Sequence, residues 1–505
     1  MVMAITAMGM IKKINKIVTV NYCVISLLPI VFSPMSVLAG EWQLKPILTL
    51  NETYTDNLEL STIDTTSSFV TQTTAGLNAD FKSNLTSLNL SGSQTYASYS
   101  KNSKLNNDFQ TLTANGQYDF GDSGLVLTAT GNIANVSRNS ANNSLADIVS
   151  GDTVQTKTYS AGLNYNIGNS SYLINSSVNY NTNRSEDNIA EYDGINVQFN
   201  SENGNTARSI YWQLDSAYTK RDQLSTNNEG ENSTVDALLG VITSWDLNPF
   251  IRYYDEKVKG TGVTRDIDTT SSWGPGLRWL ATPHIIIDLS YNFVADDTVS
   301  DDYFDTSVEW EPSGRTSLTI GYTQRFFGDS YNFNFNHRTK RLTNSITYDE
   351  SLEVFDRNAY QEDTTGNLEL VNSNDYALNK RLSWSSQLQL SRTSFNLSIS
   401  SNERTYLETD TVNNTLDVSI GATRTISPKS NLSITAEYNY SIYDKDNPTG
   451  SGQEDYYRTF SVQYTKKLAL ALSSQFTIRH VNRDSSVDNY TYDEVRAIIN
   501  ITKEF

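Results

Sequence analysis

The chain of 505 residues has one cysteine, nine prolines and three histidines. The cysteine, Cys23, lies in an amino-terminal apolar stretch, preceded by Val20-Asn21-Tyr22 rather than by the small residue of a lipoprotein signal. Residues 40–505 therefore carry no thiol, which excludes disulfides, thiolate metal sites and cysteine nucleophiles together. His284, His337 and His480 are scattered without metal-ligand spacing, and no HExxH, GxSxG, P-loop or strand-to-helix GxGxxG occurs. No catalytic residue, metal ligand or cofactor is predicted, and the chain is not expected to be an enzyme. Asp296-Asp297 and Asp301-Asp302 offer oxygen ligands but lack EF-hand spacing, and read as solvated loop charge.

Long apolar runs are also missing. After residue 39 none approaches the ~20 residues that a membrane-spanning helix needs. Mean hydropathy is −0.46 and 19% of residues are charged, too polar for a helical membrane protein. A barrel tolerates such polarity, because only alternate residues of its strands meet lipid. Basic residues are the scarcer charge, 38 Lys and Arg against 57 Asp and Glu. Residues 1–39 hold three Lys and no acid, so the remainder has 35 basic and 57 acidic residues, a net charge of −22. That balance argues against nucleic acid as a partner.

What is present begins with a targeting segment. Lys12, Lys13 and Lys16 precede an apolar stretch from Ile17 to Phe32, and Val37-Leu38-Ala39 ends it with permissive side chains. A cleaved Sec-type signal peptide is expected over residues 1–39, cut between Ala39 and Gly40, which sends the chain to the periplasm or beyond.

From Trp42 onward the pattern is period two. Leu44, Leu48 and Leu50 share one parity; so do Phe69, Ala75, Leu77 and Phe81, then Leu88, Leu90 and Tyr96. Such alternation builds strands with one apolar and one polar face. Connections alternate too: 82–84, 121–124, 168–170, 246–249 and 312–314 are tight, whereas 55–66, 139–152, 222–232, 353–375 and 444–454 are long and polar. Pro275 interrupts one run and is expected at a bulge. No fixed repeat of a solenoid or propeller is present. The prediction is an all-β chain: one large antiparallel transmembrane β-barrel over residues 40–505. About 24 strands are expected, within 22–26, with short periplasmic turns and long extracellular loops.

The last strand carries the assembly signal in this reading. Val495, Ala497, Ile499, Ile501 and Phe505 fall on one face, and Arg496, Asn500, Thr502 and Glu504 on the other. Ile499, Ile501 and the terminal Phe505 are the expected recognition residues for the insertion machinery, and this strand is expected to close onto the one beginning at Trp42. The longest connection supplies the candidate constriction or recognition loop, with Glu353, Asp356, Arg357, Tyr360, Glu362 and Asp363 as its chemistry-bearing residues.

Tyr54-Thr55-Asp56-Asn57-Leu58, followed by FVTQTTAGL at 69–77, resembles the outer-membrane β-barrels associated with exosortase/PEP-CTERM and exopolysaccharide gene clusters. Ala75 departs from the Pro that this pattern places before the Gly. The resemblance implies a porin-like role at the outer membrane of a Gram-negative bacterium, in exporting or assembling an exopolysaccharide. The alternatives are a general diffusion porin and a structural or adhesive surface barrel. Expected partners are outer-membrane lipid and lipopolysaccharide, the insertion machinery and, through the resemblance, a polysaccharide.

Overall fold

Alternation that puts Leu44, Leu48 and Leu50 on one face and Thr49, Asn51 and Thr53 on the other dictates a wall with two different sides. A sheet closed on itself is the arrangement that leaves such a wall without edges. The structure, a computed structural model, describes residues 40–143, 147–150, 152–204, 206–225, 228–260, 268–295, 301–362, 368–443 and 452–505. Residues 1–39, with Ala39 of the expected cleavage site, lie outside them, as do Asp296, Asp297 and Asp363. The described residues form a closed antiparallel barrel of 24 strands plus a two-stranded hairpin, with only single-turn 3-10 helices besides.

Each wall strand pairs with its sequence neighbours, and the first, Glu41–Thr55, also pairs with the last, Tyr492–Glu504. That seam runs from Ile47↔Glu504 to Thr55↔Arg496, and the Phe505 amide donates to the Pro46 carbonyl at 2.9 Å. Val495, Ile499, Ile501 and Phe505 are exposed on the outer face, and Glu494 and Arg496 are buried on the inner. Lys503 shares the outer face; its ammonium lies 5.6 Å from the Phe505 ring centroid and reaches the Leu470 carbonyl at 3.5 Å. A long cationic stem placed at the rim can keep its head wet in this way.

Both described termini sit at the end with short turns. Outward aromatics cluster towards the two ends of the wall: Trp42 against Phe81 and Tyr118 against Phe120 at the short-turn end, Tyr54 against Phe69 and Tyr322 against Tyr331 towards the long loops. Twelve residues separate Trp42 from Tyr54, roughly 40 Å along a strand and about 30 Å along the axis of a barrel tilted as these are. Exposed Leu44, Leu48 and Leu50 fill the band between.

Three expectations need correction. Pro275 pairs with Ile251 in an unshifted register on that side. Towards the next strand Trp273↔Phe293 and Gly276↔Ser290 keep one register, and the irregularity falls at Leu280/Thr282 instead. The missing proline donor interrupts the ladder without displacing it. Residues 326–327 make a tight connection at the long-loop end, and the connection expected over 222–232 shrinks to 224–228 because strands continue through its flanks. Glu353 ends the strand Leu342–Glu353, and the insert that follows contains the hairpin Tyr360–Glu362 and Leu368–Leu370.

Candidate functional site

Inner-face residues of the wall are mainly amides and hydroxyls. Asn175, Asn179 and Asn181 of the strand Tyr172–Ser185 share a parity with their cross-strand partners Asn200, Asn196 and Gly194, and this parity is opposite to that of outward Val178 and Tyr180. One sector, between Tyr192–Asn203 and Leu342–Glu353, encloses a charged cavity of about 720 Å³. Seven carboxylates and three guanidiniums line it. Arg252 clamps Asp236 through bonds of 2.9 and 2.7 Å and also meets Asp305, and Arg278 clamps Asp288 at 2.8 and 2.6 Å. Asp215, Glu309 and Asp349 line the same space and form no ion pair among the described residues. Their excess makes the cavity anionic.

Arg325 reaches Glu256, which is fully buried, with its Nε 2.9 Å from Oε2. Four strand spacings around the wall separate them, about 19 Å if the wall followed an open arc. The hairpin of Thr316–Arg325 and Gly328–Arg338 therefore leans into the lumen towards Leu247–Lys259.

The insert 354–376 crosses the long-loop mouth. Its opening residues Val354 and Phe355 are buried with Val258 and Tyr376, beside Tyr192, Phe326 and Leu407. Arg221 donates to the Val354 carbonyl at 2.8 Å, and the Tyr376 hydroxyl donates to the carbonyls of Glu231 and Lys259 at 3.0 and 3.1 Å. Further on, Arg357 grips Asp187 of another connection with two bonds of 2.7 Å and donates to the Arg138 carbonyl at 3.0 Å. Tyr360 packs edge-on against Tyr443, with centroids 5.0 Å apart. Asp356 pairs with Arg404, which also holds Glu353 at 3.2 Å and Asn379 at 2.9 Å. Asn372 receives the Ala190 amide at 2.9 Å and donates to the Asn188 carbonyl at 3.1 Å. Glu353, Asp356, Arg357 and Tyr360 are thus in one region, bound to different sides of the mouth. Glu362 belongs to the small hairpin by its backbone.

A second connection, 138–152, supports the first. Asn139 donates to the Leu368 carbonyl of the insert at 2.6 Å. Arg483, 1% exposed, donates to the Ala141 carbonyl at 2.6 Å while paired with Asp455 at 3.0 Å, between the rings of Tyr457 and Tyr490. Asp147 pairs with Arg496, and Val149 is buried with Leu58, Val70 and Tyr99. Burial pushes the Asp187 carboxyl up, but its bonds from Arg357 and Ser185 outweigh this and hold it at about 2. The Asp147 carboxyl is likewise raised by burial and lowered more by Arg496, ending below the usual range.

The sequence pointed to the insert and to 139–152 as a long polar connection, but not to Asp187, Arg404 and Arg483 as partners, nor to the support that this connection gives the insert. Arginines on a strand's polar parity near its long-loop end, as at 404, 483 and 496, were the available signal. Asp302 of the second acidic cluster accepts the Val294 amide at 3.0 Å.

A family model described as "Putative beta-barrel porin 2" matches residues 29–206. No curated protein matches the chain. Among solved structures the chain is similar to the siderophore receptor PirA from Acinetobacter baumannii, at 8% identity over 92% of this chain and 80% of that one, with a TM-score of 0.45. It is similar to the FrpB iron transporter from Neisseria meningitidis at 12% identity, covering 91% and 82%, with a TM-score of 0.44. OpdK from Pseudomonas aeruginosa, solved with vanillate, shares 10% identity over 92% and 99%, with a TM-score of 0.32. The family match ends just past the strand Tyr192–Asn203, so over its first eight strands the chain is similar to the porin-type β-barrels.

Proposed function

We propose that the chain is an outer-membrane pore for hydrophilic solutes whose outward mouth is constricted by the insert 354–376. The observation that carries this reading is a closed wall, apolar outside and amide-lined inside, with Arg357, Tyr360 and Asp356 tied to different sides of one mouth. Signal cleavage between Ala39 and Gly40 and recognition of Ile499, Ile501 and Phe505 by the insertion machinery belong to the same proposal, as does contact with outer-membrane lipid and lipopolysaccharide.

The finer reading is passage or assembly of an exopolysaccharide. The resemblance at residues 54–58 and 69–77 motivates it, and inner-face amides such as Asn175, Asn179 and Asn200 support it. They offer donors and acceptors to sugar hydroxyls without a fixed charge that a neutral polymer would have to desolvate. A general diffusion porin is the competing reading. Planar-bilayer recording separates them: a saccharide passage is blocked by micromolar neutral oligosaccharide in a length-dependent manner. Block that is absent at millimolar concentration would leave the general porin, and a barrel without conductance even after removal of the insert would remove the pore.

A further inference from the structure

The ladder between Gly328–Arg338 and Leu342–Glu353 has six pairs, from Phe333↔Tyr348 to Arg338↔Thr343. Beyond Phe333, residues 328–332 pair only with the preceding strand, Arg325↔Gly328 to Gly321↔Asn332. Residues 349–353 pair only with the following one, Asp349↔Arg381 to Glu353↔Ala377. Continued register would set Asn332 opposite Asp349 and Gly328 opposite Glu353, yet no such pair forms. One lip of this split belongs to the hairpin that Arg325 draws inward to Glu256.

The cavity reaches the split. Its lining includes Tyr331 and Glu350, which by alternation belong to the outer face, as their neighbours Phe333 and Tyr348 do. Glu350 Oε2 is buried there without a hydrogen-bond partner among the described residues. Unpaired strand edges are not tolerated against hydrocarbon; they persist at membrane depth where they line a water-filled cavity. The rings of Tyr322 and Tyr331, 5.4 Å apart, place the split at the outer aromatic girdle.

We propose that this split is a lateral portal, through which the cationic head of a long-chain amphiphile enters the cavity while its chain stays in the outer leaflet. The inference rests on the membrane-barrel reading. The charge selects the head: Tyr322 donates to Asp329 at 2.9 Å and Tyr348 to Glu350 at 2.7 Å on the lips, and Asp349 and Glu309 stand inside without guanidinium partners among the described residues. An ammonium desolvated at the portal gains these carboxylates; an anionic head meets repulsion. The phenol rings of Tyr331 and Tyr348 give the first methylenes an apolar edge.

The test uses the exported chain in phosphatidylcholine nanodiscs. Asn334→Cys with Thr347→Cys, a pair within the ladder, is expected to oxidise to a disulfide. Asn332→Cys with Asp349→Cys, the same face two residues further, is expected to remain at least tenfold slower. A bimane label on Ser330→Cys is expected to respond saturably to dodecyltrimethylammonium, at least tenfold more weakly to tetramethylammonium, and not to dodecyl sulfate. Asp349→Asn with Glu350→Gln should raise the midpoint at least threefold. Equal oxidation of the two pairs, or an equal response to dodecyl sulfate, would overturn the portal while leaving the pore intact. A chain that does not insert into nanodiscs overturns the membrane reading and the portal with it.

Discussion

Arg357 and Asp187 face each other through two parallel bonds of 2.7 Å, although 170 residues separate them in the chain. The two side chains are 16% and 13% exposed, so the pair is largely shielded from water. It ties the insert to the connection between Tyr172–Ser185 and Tyr192–Asn203. Removing the guanidinium with Arg357→Ala should cost the closed mouth about 2 kcal/mol, a typical value for bonds to charged groups. That is about a thirtyfold rise in the ratio of open to closed time. Arg357→Lys should recover only part of it, because an ammonium cannot match the planar fork. Single-channel dwell times check both, and an unchanged ratio in Arg357→Ala would sink the latch.

The same pair sets a pH window. Asp187 lies near 2 in the folded chain, below its unfolded value of about 3.9. A depressed carboxyl stabilises the closed mouth fully above the unfolded value and loses that contribution as pH falls through the folded one. Conductance should therefore be flat from pH 7 to 5 and rise between about pH 4 and 2. Asp187→Asn should remove the acid step attributable to this pair. A rise centred near pH 6 would assign gating to another group.

Replacing residues 357–374 by a short Gly/Ser turn removes Arg357, Tyr360 and Asn372 together with the hairpin that meets Asn139. The barrel ladders do not include these residues, so the wall should still form. Conductance should rise several-fold. Unchanged conductance in correctly inserted protein would show that the insert does not limit the pore.

Gly274 lies where its neighbour's backbone comes close: a Cβ added there would stand 1.8 Å from the Tyr291 carbonyl oxygen. Gly274→Ala must push apart the wall beside Pro275, at a cost of about 1–3 kcal/mol by analogy with overpacked cores. A lower temperature for loss of the compact form on heat-modifiability gels checks it. Gly314, where an added Cβ would meet nothing within 4 Å, is the tolerant control.

Phe505→Ala should lower the amount of barrel in the membrane severalfold while sparing synthesis, measured in fractionated cells. Wild-type membrane levels would argue against a terminal aromatic signal. The residue is exposed beyond the seam, its amide on the Pro46 carbonyl and its ring beside the Lys503 ammonium, so the wall ladders do not need the phenyl group.

Most of the wall was legible in the sequence because its code is local. The parity of Leu44, Leu48 and Leu50, or of Ile499 and Ile501, is visible within one strand, and turn lengths sort the two ends. Pro275 misled because a missing donor need not shift register. The mouth was not legible: whether a polar connection folds inward depends on partners such as Asp187 for Arg357 and Leu368 for Asn139, far away in sequence and without period. The lean of the hairpin towards Glu256 had the same cause. Arg325 looks like any inner-face residue until its partner is known.

The seam between Glu41–Thr55 and Tyr492–Glu504 has a consequence for how the barrel can form. Every other wall ladder joins consecutive strands, so it grows by short-range steps. This one must bring together residues some 450 positions apart, a ring closure whose chain entropy alone is about 5 kcal/mol for a flexible chain of that length. Nine register pairs, Ile47↔Glu504 to Thr55↔Arg496, set against that cost the cooperative gain of one more ladder. A wall that grows as a ribbon must close once at this seam, and substitutions there should weaken the finished wall and slow closure by at most the same factor.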